Sequence, residues 1–414
     1  MRRVVITGLG ALSPIGNNIA AYLKGLQNGM SGAARITHFD PELFKTQIAC
    51  EVKDFTPTDF IDRREARRLD RYVIYALVAA DEAVQQAGFD IEQLDLDRVG
   101  VIWASGIGGL RSLEEEITYN AKTETPRYNP FMIPKMIANM GAGHISMKYG
   151  FRGPSYATVS ACASTGHALS AAADDIRLGR TDVMVVGGSE AAVVEVGIGG
   201  FSAMKAMSTR NDDPQTASRP YDAERDGFVL GEGAGGFILE ELEHAKARGA
   251  TIYAELAGYA ASSDAHHITA PHPEGLGASA CMRNALKFAG INPEEVNYIN
   301  THGTSTPLGD IAELKAIQKV FGDSAYELNI SSTKSMTGHL LGAAGAIEAI
   351  ACVLAIQHKF VPPTINHFND DPEIDSRLNL TFNEAQEKDI KVALSNTFGF
   401  GGHNSAAVFK RFEG

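Results

Sequence analysis

Two stretches of this chain repeat each other. Thr165-Gly166-His167-Ala168-Leu169-Ser170-Ala171-Ala172-Ala173 lies over Thr337-Gly338-His339-Leu340-Leu341-Gly342-Ala343-Ala344-Gly345, with six of nine positions identical at a constant offset of 172 residues. In each copy a strand-like run comes first (Ser155 to Ser160; Leu328 to Ser331) and an alanine-rich helical pattern follows, so the repeat predicts a duplicated α/β unit. At this offset Cys162 falls opposite Lys334, a thiol and an ammonium at corresponding turns.

The rest of the chain has room for such a duplication. Its 414 residues would hold two or three domains, and with 44% hydrophobic and 21% charged residues it is neither disordered nor fibrous. Short β-branched runs alternate with helical patterns: Val4 to Thr7, Val99 to Ala104, Asp182 to Val186, Gly235 to Glu240, Thr251 to Gly258, Tyr298 to Asn300, Leu328 to Ser331 and Lys391 to Asn396. Several are apolar on both faces, as strands covered by helices are. No linker interrupts them, which predicts two halves in close contact, 1–250 and 251–414. The apolar stretch from Leu340 to Ile356 carries Glu348 at its centre and reads as a buried core helix, with no membrane insertion. The start of the chain is ended by Ser13-Pro14 and reads as a strand entering a turn, not a signal peptide. A formal charge of −13 argues against nucleic acid as a partner.

The four cysteines show no C-x-x-C spacing, which indicates a reducing, cytoplasmic setting without disulfides or zinc. Cys50, Cys281 and Cys352 read as packing residues. Cys162, in Ser160-Ala161-Cys162-Ala163-Ser164, stands where a strand passes into a helix. Unpaired N–H groups and the helix dipole there would lower its pKa and favour the thiolate. His302 follows a short strand in a hydroxyl-rich loop, Asn300 to Asp310, and His339 ends Lys334-Ser335-Met336-Thr337-Gly338-His339. Loops at strand ends are where α/β sheets bind ligands. Lys334 lies in apolar surroundings and is expected to pair with Glu348. The closing loop Gly399-Phe400-Gly401-Gly402 could bring a backbone N–H to a reacting carbonyl while the phenyl ring gates it. His167 and the remaining loop histidines read as structural. Gly8-Leu9-Gly10 lacks the third glycine of a dinucleotide site, and His266-His267 with His272 lacks a metal-ligand spacing.

The turns around Cys162, His302 and His339 and the Gly399–Gly402 loop resemble, in chain order, the motifs of the β-ketoacyl-acyl carrier protein synthases, and the likeness runs from Val4 to Lys410. The resemblance implies a thiolase-like α/β fold, five-layered α-β-α-β-α and built from two duplicated halves, usually a homodimer. It implies decarboxylative Claisen condensation of a malonyl unit with an acyl chain held on Cys162, as in fatty-acid elongation. His302 and His339 would assist decarboxylation, and Lys334 with Glu348 would tune the site. Backbone N–H groups of Cys162 and Phe400, flanked by Gly399 and Gly401, would form the oxyanion hole. Thr304 and Thr306 match positions that hold the pantetheine arm, Ile107 and Phe201 positions of the acyl pocket. No resident cofactor and no metal are implied, because the phosphopantetheine arrives on the carrier. The chain departs from the pattern at His403, where many relatives have Thr.

Three alternatives share these residues: a polyketide condensing enzyme, a cysteine thioester hydrolase and a non-catalytic carrier-binding subunit. Two histidines plus Lys334 exceed what a hydrolase needs, and Cys162 is out of place in a non-catalytic subunit. A thiolase is disfavoured because no cysteine follows Cys352. An acidic carrier meeting a chain of −13 needs a local basic surface. Arg63, Arg64, Arg67, Arg68 and Arg71 fall at helical spacing and are expected to supply it, with Arg127 and Lys205.

Overall fold

A computed structural model describes residues 1–414. The first five long-sheet strands are β1 (Val4–Leu12), β2 (Val99–Ala104), β3 (Ser155–Tyr156), β4 (Val183–Glu190) and β5 (Gly233–Glu241). The second five are β6 (Ala254–Ser263), β7 (Tyr298–Asn300), β8 (Asn329–Ser331), β9 (Val392–Gly399) and β10 (His403–Lys410). Outward from the centre the first set runs β1-β5-β4-β2-β3 and the second runs β6-β10-β9-β7-β8, the same order. Antiparallel pairs lie innermost and parallel pairs outermost in both.

The sets join where β1 and β6 run antiparallel, with Val5 opposite Glu255 and Ile6 opposite Ala254. Pairing of β1 with β5 skips Thr7, and pairing of β6 with β10 skips Ala257. These bulged residues are 250 apart, the same spacing as Val5 and Glu255, so a local two-fold relates even the irregularities of the sheet.

The helices follow from local signals and from the apolar strand faces. Asp70 accepts from Tyr72 N and starts α1 (Arg71–Ala87), which ends at Gly88 with φ 65°. This helix covers the outer face of the first half. The second half is covered by α3 (Leu276–Ala289) and α4 (Pro307–Phe321). Between the two sheet halves lie α2 (Ser164–Arg177) and α5 (Ala344–His358), in one apolar cluster with residues of both. The layers are therefore α-β-α-β-α. The segment Leu341–His358 has the length and hydropathy of a membrane span but is 89% buried within the protein, as a helix apolar all round must be when it sits between two sheets.

Structural equivalence runs in a different register from the sequence match. Helix α2 starts at Ser164 and α5 at Ala344, 180 residues apart. Thr165-Gly166-His167 opens α2, whereas Thr337-Gly338-His339 precedes α5, because a one-turn helix, Lys334–Thr337, is inserted in the second copy. By position before the helix Cys162 corresponds to Gly342 and not to Lys334. The arginine run is also interrupted. Arg63–Ala66 forms a single turn, Leu69 and Asp70 are buried, and Arg71 turns inward to the Tyr75 hydroxyl and Glu232. Arg63, Arg64, Arg67 and Arg68 remain exposed.

Candidate active site

The carboxyl ends of the central strands and the amino ends of the two middle helices converge on one cavity of about 520 Å³. Cys162 lies two residues before α2. Ser164 Oγ donates to Ala161 O at 2.6 Å and accepts from Ser160 N at 2.8 Å, which folds the turn tightly. Ala161 is held at φ 50°, a left-handed conformation costly for a residue with a Cβ. The strain sits next to the thiol, which is 7% exposed at the cavity floor.

His339 approaches from the second half, with Nε2 2.9 Å from Cys162 Sγ. Its main chain is clamped on both sides, Gly231 N donating to His339 O at 2.9 Å and His339 N donating to Val229 O at 2.8 Å. His302 leaves β7, its ring centroid 5.3 Å from that of His339 and nearly perpendicular to it. Lys334 Nζ stands 3.4 Å from His302 Nδ1 and forms an ion pair with Glu348, both side chains 1% exposed. An ammonium can only donate, so it makes His302 Nδ1 the acceptor and leaves the ring proton on Nε2. Lys334 thereby sets a tautomer as well as a charge.

Burial dominates the electrostatics. It pushes the Cys162 thiol up to about 12, although the Lys334 ammonium and the Phe400 N–H directed at the sulfur pull the other way. It also holds His302 and His339 well below the usual imidazole range, with Lys334 adding to the effect. The resting pair is therefore a neutral thiol and a neutral imidazole. The thiolate expected from the helix terminus is not favoured, because losing water costs the anion more than the dipole and ammonium return. Sulfur and the two ring nitrogens lie within 4.8 Å of one another, a spacing a thiophilic cation could bridge. The adjacent Lys334 charge opposes one there.

The other expected residues divide. Ile107, Phe201, Lys205, Thr304, Thr306, Gly399 and Phe400 all line the cavity, and the Thr304 and Thr306 hydroxyls are 2.9 Å apart. Gly401, exposed at φ 88°, does not; it donates to Ile268 O, and the His403 ring lies over it. Arg63, Arg64, Arg67 and Arg68 lie outside the cavity, Arg64 and Arg68 lining a separate groove with Phe131. His167 is structural, bonded to Ser160 Oγ at 2.6 Å.

Sequence reading missed Glu313, Asn396 and Glu190. Glu313 accepts from His302 N at 2.9 Å and Gly303 N at 2.8 Å, and Asn396 Nδ2 donates to it at 3.1 Å. Burial raises its carboxyl to about 7. Its only sequence signal is an acid on the apolar side of α4.

Residues 1–245 match the family of the β-ketoacyl synthase N-terminal domain and residues 253–368 that of its C-terminal domain. The chain belongs to the β-ketoacyl synthases. Among β-ketoacyl synthases it is 50% identical to 3-oxoacyl-[acyl-carrier-protein] synthase 2 of Staphylococcus aureus (strain COL), over 100% of this chain and 99% of that one. The synthase 2 of Synechocystis sp. (strain ATCC 27184 / PCC 6803 / Kazusa) is 49% identical with the same coverage. Among solved structures, a β-ketoacyl synthase from Burkholderia phymatum STM815 superposes with a TM-score of 0.92 at 34% identity, over 100% of each chain. A ketosynthase complexed with a type II PKS acyl-carrier protein and bound to the hexaketide gives 0.91 at 37%, again over 100% of each.

Proposed function

We propose that this chain extends acyl chains by two carbons through decarboxylative condensation, the elongation step of fatty-acid synthesis. The observation that carries the reading is the juxtaposition of Cys162, His339 and the Lys334-oriented His302 in one buried cavity.

Cys162 Sγ attacks the thioester of an acyl carrier protein. Its proton passes to the departing pantetheine thiolate, and the acyl chain is left on sulfur. The N–H groups of Cys162 and Phe400 hold the carbonyl oxygen as it gains charge. Malonyl carrier thioester then enters past Thr304 and Thr306. Its carbonyl oxygen receives hydrogen bonds from Nε2–H of His302 and His339, so the electrons left by departing carbon dioxide settle as an enolate. The enolate carbon attacks the acyl carbonyl, the carbon–sulfur bond to Cys162 breaks with its electron pair on sulfur, a proton from solvent restores the thiol, and 3-oxoacyl carrier protein leaves. Neutral imidazoles that present Nε2–H to the carbonyl suit this step better than a base would. They stabilise the oxyanion and have no proton to remove from a substrate that loses carbon dioxide instead.

On this reading no resident cofactor is needed, since the pantetheine arrives attached to the carrier. The carrier docks on Arg63, Arg64, Arg67, Arg68 and Lys205. The protein works in the cytoplasm as a homodimer, paired through the edge strand β3, where Tyr156 is 41% and nearby Val159 60% exposed. A hydrolase is disfavoured because the second histidine and Lys334 exceed the one histidine and orienting residue that hydrolysis needs.

Mixing the protein with malonyl and medium-chain acyl carrier thioesters tests the reading. Carbon dioxide release with a product two carbons longer is expected. Free fatty acid as the main product would overturn it.

A further inference from the structure

We propose that Glu190 is a positioning residue that sets how long an acyl chain the cavity admits, by stapling the Ile107 turn of the first half to the Leu341 turn of the second. The inference rests on the reading that the Ile107 end of the cavity receives the acyl chain.

Glu190 is the last residue of β4 and is wholly buried. Every group bonded to it is a donor: Ser105 Oγ at 2.9 Å, Gly106 N at 2.7 Å, Ile107 N at 3.2 Å and Gly342 N at 3.0 Å. A buried carboxylate costs a great deal without compensation, and here the compensation comes from two turns and not from a cation. Burial raises its carboxyl to about 7 against the pull of these donors.

The turns meet at close quarters. A Cβ on Gly342 would stand 2.2 Å from Gly106 N, and Thr165 Oγ1 donates to Gly342 O at 2.6 Å, so the Gly342 residue is held from both sides. The residues beside these contacts, Ile107 and Leu341, line the cavity. Loss of the staple therefore releases two walls of the acyl end at once. The histidines are anchored separately, and Glu190 reaches Cys162 only as a charge through space, an effect equal at every chain length. His339 is clamped through Gly231 and Val229, and neither His302 nor Lys334 bonds to Glu190. The expected effect is on chain length more than on the reaction.

The test compares wild type, Glu190→Gln and Glu190→Asp. Gln keeps the volume but turns an NH2 toward donors; Asp keeps the charge but shortens the reach. Acylation of Cys162 is followed by intact-protein mass spectrometry with carrier thioesters from acetyl to palmitoyl, alongside malonyl decarboxylation without an acyl partner. In Glu190→Gln the acylation rate is expected to fall about tenfold for the longest chains and less than about twofold for acetyl, with decarboxylation within about twofold and Glu190→Asp intermediate. Equal loss at every length, or none, overturns the inference. Should Glu190→Gln fail to fold, Ser105→Ala removes one donor and leaves the carboxylate in place. It is expected to show the same length dependence at smaller size, and a flat profile there overturns the inference equally. Ile107→Phe separates the two readings. If it leaves the length profile unchanged, the acyl-pocket reading fails. If it shifts the profile while the Glu190 variants do not, the Glu190 inference alone fails.

Discussion

The two halves share a topology and use it oppositely. In the first half the turn before the middle helix carries Cys162; the position before the helix in the second half is Gly342. At the end of the fourth strand the first half has Glu190, fastened by four donors, and the second has Gly399, from which the half-exposed Phe400 loop departs. One half supplies Cys162, the proposed nucleophile, on a tightly bonded frame. The other supplies His302 from the loop after β7, and Lys334 and His339 from around the one-turn helix that the first half lacks, together with the glycine-rich loop at Phe400. Duplication followed by such division explains why the site lies at the pseudo-two-fold seam: each half can hold only part of the chemistry.

The largest effect belongs to the nucleophile. Cys162→Ala is expected to abolish condensation, a loss of at least about a thousandfold, while Cys162→Gln retains malonyl decarboxylation because the second half still binds the carbonyl. Elongation by either variant would break the division of labour. Next comes the protonation state of the free enzyme. With the thiol near 12, lowering the proton concentration is what exposes thiolate, so alkylation by iodoacetamide should rise about tenfold per unit between about pH 7 and 10. A plateau below about pH 8 would show that the thiolate already forms at rest.

Lys334→Ala leaves Glu348 buried without its cation and frees His302 to change tautomer. Destabilisation of about 3–5 kcal/mol in denaturant melts, with loss of decarboxylation, is expected. Normal decarboxylation in a folded variant would remove Lys334 from the second half's role. Two glycines of the second half, one before its middle helix and one at the end of its fourth strand, give a smaller contrast. In Gly342→Ala the new Cβ meets Gly106 N at 2.2 Å in a sealed core, which should cost about 1–3 kcal/mol. In Gly399→Ala it meets Ser160 O at 2.8 Å and Cys162 N at 3.0 Å beside a loop able to yield, so kcat should fall more than Tm. Matching losses would mean that the two turns are equally rigid. Smallest is the charge reversal Arg67→Glu with Arg68→Glu, expected to raise KM for carrier substrates several-fold and spare small thioesters. An unchanged KM would move the carrier elsewhere.

What could be read from sequence was what local chemistry decides. Cys162, His302, His339 and the Lys334–Glu348 pair lie in turns whose small residues and hydroxyls mark strand-to-helix junctions, and most long-sheet strands were visible as apolar runs. Strand β10 was not, because its alanines and serines, Ser405-Ala406-Ala407, resemble a loop or helix until they pair with β6 and β9. Glu190 was silent because its partners come from segments that meet only in the fold, Gly342 lying 152 residues away, whereas Glu313 has near partners in His302 N and Gly303 N but looks like any other helix acid until the loop folds back on it. The sign of the Cys162 shift was misjudged for the same reason. A helix start can be seen in a string of residues, whereas the exclusion of water cannot. The repeat was real but read in the wrong register, since the inserted turn at Lys334–Thr337 moved the Thr-Gly-His match off the equivalent positions.

Helix α5 has a consequence for how the chain is made. It is apolar enough for a membrane, and its shelter is completed by β9 and β10, which follow it in the chain. While the ribosome is still adding those strands, this greasy rod has no finished place to hide. Burial of α5 is therefore complete only once β9 and β10 have been made, and until then its apolar surface is open to aggregation.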